Sequence, residues 1–256
     1  MGLDDDLVAD ALAVDLPGRP LRSYPALLST EADALAWARA GAPGGAVVVA
    51  GYQASPRGRA GLPWQVRQGT GLAFSLILRP RLPADREGWV YTVATSGLAD
   101  ALGADAGIAW PDEVRRGGQR AGAVGAWVEL DAEGGVSWAV VNLLVPDAVQ
   151  PRGPMLARVV EAIERCQRAP AEVVLARYRA RCTTLGTAVR ARLIPLGPAG
   201  PRVEGRAVDT LADGALVIET AAGRRVAVRP QNLGLLDALG AASPPTPGAG
   251  GGPTPR

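Results

Sequence analysis

The stretch richest in chemistry is Gly51-Tyr52-Gln53-Ala54-Ser55-Pro56-Arg57-Gly58-Arg59-Ala60-Gly61-Leu62-Pro63-Trp64, which follows the apolar run Ala46 to Ala50. Two arginines flank a glycine, a second glycine follows, and a tryptophan closes the segment. Glycine lets backbone approach a ligand, guanidinium groups make bidentate charged hydrogen bonds, and an indole offers a stacking face. These features suit an anionic ligand that carries an adenine-like base. The same residue types also suit a surface loop of solvated arginines, and spacing alone leaves both readings open.

Composition removes whole classes of mechanism. The 256-residue chain carries 27 cationic and 25 anionic side chains and no histidine, and every cation is arginine. Ser-His and Cys-His catalysis and histidine-ligated metals are therefore excluded. So are Schiff-base lysines and a P-loop lysine. A net charge of +2 spread along the chain makes no nucleic-acid stripe. Asp4-Asp5-Asp6 stands where a secretory signal needs positive charge, and the apolar runs are too short to span a bilayer. Cys166 and Cys182 fit a reducing compartment. These features predict a cytoplasmic chain with no membrane partner.

The elements that must hold the loop can be read from periodicity. Helical spacing predicts helices over Leu7 to Val14, Glu31 to Ala40, Trp89 to Leu102, Met155 to Gln167 and Ala171 to Arg181. Ser29-Thr30 forms the cap of the second and Gly41 its end. Strands are predicted at Ala46 to Ala50, Leu72 to Leu78, Ala123 to Leu130 and Val136 to Leu144, the last two forming a hairpin around Gly134-Gly135. After Gly186 come short alternating strands at Ala188 to Leu193, Arg202 to Thr210, Ala215 to Glu219 and Arg224 to Val228, the pattern of a small barrel or sandwich. Trp127 reads as a core aromatic, Asp4 to Asp6 as a solvated helix start and Cys166 as a buried thiol.

Several motifs in order resemble the biotin protein ligases. They are Ser29-Thr30 before a helix, the Tyr52-Gln53 to Trp64 loop, Trp110-Pro111, the strand through Ala123 to Glu129, the strand carrying Asn142, and Tyr178 to Gly186 at the entry to a terminal unit. The resemblance covers residues from about 23 to 239. It implies an α+β fold in which a mixed sheet flanked by helices, the biotin/lipoate ligase-like catalytic domain, precedes a small SH3-like β-barrel. The corresponding divisions are a partly helical leader at 1–22, the catalytic domain at 23–182, the barrel at 183–239 and a disordered Pro/Gly tail at 240–256.

The activity so implied has two steps. Biotin's carboxylate attacks the α-phosphate of ATP in the presence of Mg²⁺, and a lysine of a biotin carboxyl carrier protein then takes the acyl group. By the resemblance, Ser29, Thr30, Glu31, Gln53, Arg57, Gly58 and Gly125 fall at biotin. Arg57, Arg59, Gly61, Trp64 and Asn142 fall at the nucleotide, and Arg59 and Arg120 are the catalytic pair. Trp110, Pro111, Asp112, Glu113 and Gly122 support the site. No resident metal is implied. No helix-turn-helix is read ahead of residue 29, so no nucleic-acid partner is expected, and a homodimer is left open.

This chain departs from the family pattern at defined places. Pro56 replaces the first glycine of the arginine loop, Leu62 an arginine, Glu31 an asparagine, and Asp112-Glu113 an Asn-Asp pair. The family's catalytic lysine aligns with Gly122 when counted from Glu129 and with Arg120 when counted from Trp110-Pro111. A ligase-fold paralogue that binds without adenylating, and an acyl-adenylate ligase for another small carboxylate, are the alternative readings.

Overall fold

Two apolar strands, Val47–Gln53 and Leu72–Leu78, set the layers of the protein because side chains alternate across a sheet. Val47, Val49, Leu72, Phe74, Leu76 and Leu78 face the larger core, whereas Val48 and Ile77 face a smaller one. The computed structural model describes residues 5–239, and the expected Pro/Gly tail at 240–256 and Asp4 lie outside them. In chain order the elements begin with a short turn at Asp5–Leu7, then α1 (Ala9–Asp15), β1 (Leu21–Leu27), α2 (Thr30–Arg39), β2 (Val47–Gln53) and β3 (Leu72–Leu78). They continue with α3 (Trp89–Leu102), β4 (Gly107–Ala109), β5 (Glu113–Arg116), β6 (Gln119–Leu130), β7 (Val136–Val145), α4 (Gly153–Arg168) and α5 (Ala171–Arg181). The last strands are β8 (Ala188–Leu193), β9 (Arg202–Thr210), β10 (Leu216–Glu219), β11 (Arg225–Val228) and β12 (Leu233–Ala238).

The first sheet has seven strands in the order β1-β2-β3-β7-β6-β5-β4. Only β1 and β2 run parallel, so it is mixed. Helices α3 and α4 pack on one face, and the short-residue side of α2 (Ala34 and Ala38) packs on Val48, Ile77 and Val140 of the other. The mixed α+β architecture is thus the one the sequence predicts. The second sheet is antiparallel in the order β11-β10-β9-β8-β12. Its edges, β11 and β12, are not joined by any pairing among the described residues, so it is an open sheet and not the closed barrel expected. Among the described residues no helix is long and apolar enough to cross a membrane.

Periodicity finds the long elements and misses β1, β4, β5 and β12, which are short or polar. Trp127 is 47% exposed and not a core residue, because it lies on the face of β6 opposite Ala126 and Val128, which pack against the larger core. The amino-terminal segment is also more than a leader: Leu7, Leu12 and Leu16 enter the main core. Asp6 is not a solvated helix start but the partner of Arg152, whose side chain is fully buried. Arg152 Nε lies 3.0 Å from Asp6 Oδ2, and Arg152 Nη1 donates to Gly71 O at 3.0 Å. This ties the amino terminus, the start of α4 and the start of β3 together.

Burial disfavours the charged form of Asp6, but the hydrogen bonds and charge of Arg152 outweigh it and hold the carboxyl below the ordinary aspartate range. A lowered native pKa means the stabilisation is present above the unfolded value near 3.9 and is lost as pH falls through the native one. Removing one partner of a buried pair leaves the other charge uncompensated. Asp6→Ala is therefore expected to lower the unfolding free energy by about 3–5 kcal/mol at neutral pH, read by urea denaturation. The difference from wild type should shrink as the buffer is acidified below about pH 4.

Candidate functional site

The segment after β2 folds back over β6 as a tight loop. Gly58 N donates to Leu62 O at 2.8 Å and Trp64 N to Pro56 O at 2.9 Å. Ala60 and Gly61 make the reversal with φ of +53° and +71°. Two glycines allow the loop to sit where it does. A Cβ on Gly125 of β6 would lie 2.8 Å from the Gly58 carbonyl carbon, and a Cβ on Gly58 would lie 2.3 Å from Trp64 Nε1. The loop backbone therefore rests directly on the sheet, with the indole folded under Gly58.

Around Gly58 the chain is extended, so Arg57 and Arg59 point to different sides. Arg57 is exposed, donates to Gly61 O at 3.1 Å and borders a narrow crevice that has no room for a water molecule. The crevice floor is a network centred on Ser75. Ser75 Oγ lies 2.9 Å from Thr30 Oγ1 and 2.8 Å from Asn142 Oδ1. Gln53 Oε1 accepts from Thr30 N at 2.9 Å and Oγ1 at 3.1 Å, while Gln53 Nε2 donates to Ala73 O at 3.0 Å. Asn142 Nδ2 donates to the Glu31 carboxylate. Burial pushes the Glu31 carboxyl up, against the pull of Asn142 and the charge of Arg57.

On the other side of Trp64 lies an open cleft of about 600 Å³ between the two sheets. Arg59, only 7% exposed, forms part of its wall; Nε donates to Asp112 Oδ2 at 3.0 Å, Nη2 to Gly234 O at 3.1 Å, and Nη1 to Leu233 O. Burial pushes the Asp112 carboxyl up; the charge of Arg59 opposes this and that of Glu113 adds to it. Glu113 accepts from Arg115 and from Arg120, and despite its burial those two cations hold its carboxyl low. Trp110 Nε1 donates to Gly214 O at 2.9 Å and Trp110 N to Thr184 Oγ1 at 2.9 Å, so the Trp-Pro corner fastens the second sheet to the first. Trp64 borders both hollows.

A pair of adjoining hollows under a glycine-arginine loop can be compared with known proteins. The curated "Bifunctional ligase/repressor BirA" of Bacillus subtilis (strain 168) is 31% identical over 135 residues, 51% of this chain and 41% of that protein. The protein of the same name from Bacillus spizizenii is 30% identical over the same length and shares. The chain thus spans about two fifths of the length of these curated relatives. About half of the chain is thus similar in sequence to these BirA proteins.

Solved structures bear out the fold. A biotin protein ligase from Aquifex aeolicus in complex with biotin and ATP aligns with a TM-score of 0.65 at 19% identity, over 85% of this chain and 98% of that one. A Helicobacter pylori biotin acetyl coenzyme A carboxylase synthetase with bound biotinylated ATP aligns with a TM-score of 0.58 at 19% identity, over 81% and 99%. A biotin protein ligase-like protein of unknown function from Silicibacter sp. TM1040 aligns at 0.62 and 17%, over 84% and 96%. No protein-family model matches the chain.

The residues named from sequence are thus divided between two places. Thr30, Glu31, Gln53, Arg57 and Asn142 gather at the crevice, and Arg59, Trp110, Pro111, Asp112, Glu113 and Arg120 at the cleft. Ser29 stands at the helix start, where its Oγ accepts from Ala32 N at 3.1 Å as the cap of α2. Gly58, Gly61 and Gly125 shape the loop. Gly122 belongs to neither hollow: a Cβ there would meet Leu98 and Leu102 of α3 within 2.8 and 3.1 Å, on the opposite face of β6. Sequence reasoning missed Ser75 and Arg115. Ser75 is the one polar residue in the run Leu72 to Leu78, a signal that was visible; Arg115 gave none, since neighbouring Arg116 differs only in pairing with Asp105 outside the cleft.

Because the Gly58–Gly125 contact is backbone against backbone, it has no side chain to give way. Gly125→Ala is expected to displace the loop and lower the unfolding free energy by about 1–3 kcal/mol in denaturant titrations. Gly197→Ala, with open space at its Cβ, should stay within about 0.5 kcal/mol of wild type.

Proposed function

We propose that the protein activates biotin with ATP, taken up as its Mg²⁺ complex, to give biotinyl-adenylate, and transfers the acyl group to a lysine of a biotin carboxyl carrier protein in the cytoplasm. The observation that carries this reading is the pair of hollows on either side of Trp64, one a polar crevice that is closed in the free protein and must widen to admit an acid, the other open and lined with arginines. An acyl-adenylate has this shape: a compact acid joined through a phosphate to a base and ribose. Residues 23–182 supply both hollows' main walls in this reading, and 183–239 take the place of the family's SH3-like barrel.

In the first step a carboxylate oxygen of biotin forms a bond to the α-phosphorus and the bond to pyrophosphate breaks. Negative charge accumulates on the phosphoryl oxygens, and fixed cations beside them lower the barrier. Arg120 and Arg115 are the candidates, because both line the cleft and Arg120 is one of the two positions, with Gly122, that align with the family lysine. In the free protein they are neutralised by Glu113, and an incoming polyphosphate would compete with that carboxylate for them. Arg59 acts by holding Asp112 and the edge of the second sheet, and Arg57 stands over the acyl crevice. In the second step the carrier's amine attacks the acyl carbon and AMP leaves. Asp112 and Glu113 are both engaged by guanidinium groups, so in this reading the Mg²⁺ arrives with the nucleotide.

One observation favours the second reading, a paralogue that binds but does not adenylate: guanidinium replaces the compact ammonium of the family lysine, and its planar head cannot occupy the same place. Pyrophosphate release from ATP with and without biotin separates the two. Biotin-dependent release is expected, and biotin binding with no release would overturn the ligase reading. Arg120→Ala should slow release by about 10²- to 10³-fold. Arg116→Ala, whose side chain pairs with Asp105 outside the cleft, should stay within about twofold of wild type.

A further inference from the structure

The part of β6 that carries the loop is held on its outer edge by a side chain and not by a strand. β5 pairs with β6 as far as Ala123, and Val124 N donates to Asp112 O at 2.8 Å. Beyond that point no strand pairs with this edge among the described residues. Two residues further on, Tyr91 reaches it from α3: its hydroxyl accepts from Ala126 N at 3.2 Å and donates to Ala126 O at 3.4 Å. A neutral phenol can do both at once, as a residue of a neighbouring strand would. Tyr91 is buried, and burial, joined by the charges of Asp112 and Glu31 against that of Arg59, pushes the phenol up, so it keeps its proton.

We propose that Tyr91 is a positioning residue for the arginine loop: by engaging both backbone groups of Ala126 it sets the height of Gly125, and with it the places of Arg57, Arg59 and Trp64 between the two hollows. Side chains alternate along β6, so Ala126 packs on the main core while its neighbour Gly125 meets Gly58 on the other face. The Gly58–Gly125 approach is backbone against backbone, so a shift of β6 at Ala126 passes to the loop with nothing flexible between them. Tyr91→Phe keeps the ring and removes only the hydroxyl. It leaves a partly buried N–H and C=O without their partner, which the strand can relieve only by moving. The effect of Tyr91 on turnover rests on the ligase reading; its effect on the loop does not.

The test is amide hydrogen exchange by NMR on the full chain, in wild type, Tyr91→Phe and Ser23→Ala. Ser23 Oγ also ends on a backbone carbonyl, Leu7 O, but from β1 at the opposite edge of the sheet, so its variant controls for the loss of a hydroxyl. In wild type the Ala126 amide should be protected. In Tyr91→Phe that amide should exchange about 10-fold faster, and so should those of Gly58 and Trp64, which close the loop on Leu62 O and Pro56 O. The kcat/KM for biotin-dependent pyrophosphate release should fall by about 10-fold in Tyr91→Phe. Ser23→Ala should leave the loop amides and kcat/KM within about twofold of wild type. A freely exchanging Ala126 amide in wild type overturns the inference even if Tyr91→Phe fails to fold. Unchanged loop amides in that variant overturn it too, as does a loosened loop with kcat/KM unchanged. If wild type releases no pyrophosphate, the ligase reading falls and the exchange data alone decide the role of Tyr91.

Discussion

The arrangement depends on one contact, the backbone of Gly58 lying against Gly125 with no side chain between them. Any Cβ at Gly125 would push the loop off the sheet, and any Cβ at Gly58 would strike Trp64. With both glycines in place, the loop is pinned low enough for the indole to stand as a partition. The extended backbone at Gly58 then sends Arg57 toward the crevice and Arg59 toward the cleft. A single close approach therefore creates two compartments and assigns one arginine to each.

Charge in the two compartments is handled differently. The crevice is built from neutral hydrogen-bonding groups that satisfy one another, with one carboxylate at the rim. Such a network is stable in a low-dielectric setting because few lone pairs are left without a donor. The cleft holds Arg59, Arg115 and Arg120 against Asp112 and Glu113, so its cations are already paired, Arg59 in a buried position and Arg115 and Arg120 in exposed ones. Pairing offsets the burial of Arg59, and it means an anionic ligand must exchange with a carboxylate and not simply fill an empty positive site. Arg59 differs from the other two because it also ends on the backbone of β12, which makes the second sheet part of the loop's support.

The likeness to known proteins is uneven along the chain. The curated relatives match over 135 residues at 30–31% identity, while the solved structures that share the fold do so at 17–19%. The fold tolerates this because its core is set by apolar alternation, which many sequences satisfy. Glu31, at the narrow crevice, and Asp112 and Arg120, at the open cleft, lie outside those layers, so charge there can vary while the core stays intact.

The sequence by itself determined the long elements, because apolar residues at period two or 3.6 leave a strand or helix no other way to bury them. Hence β2, β3, β6, β7 and the helices from α2 onward were legible, as was the capped start of α2 at Ser29. It also determined the absence of histidine and lysine, and with it the classes of chemistry that cannot occur. Short polar strands such as β5 and β12 carry too few apolar residues to show a period. Only the tertiary structure decided that Gly122 faces α3, that Arg115 joins Arg120 on Glu113, and that Asp6 reaches Arg152 across 146 positions. Each of these turns on which face of a strand or which distant segment a side chain meets, and such long-range pairings leave no local pattern to read.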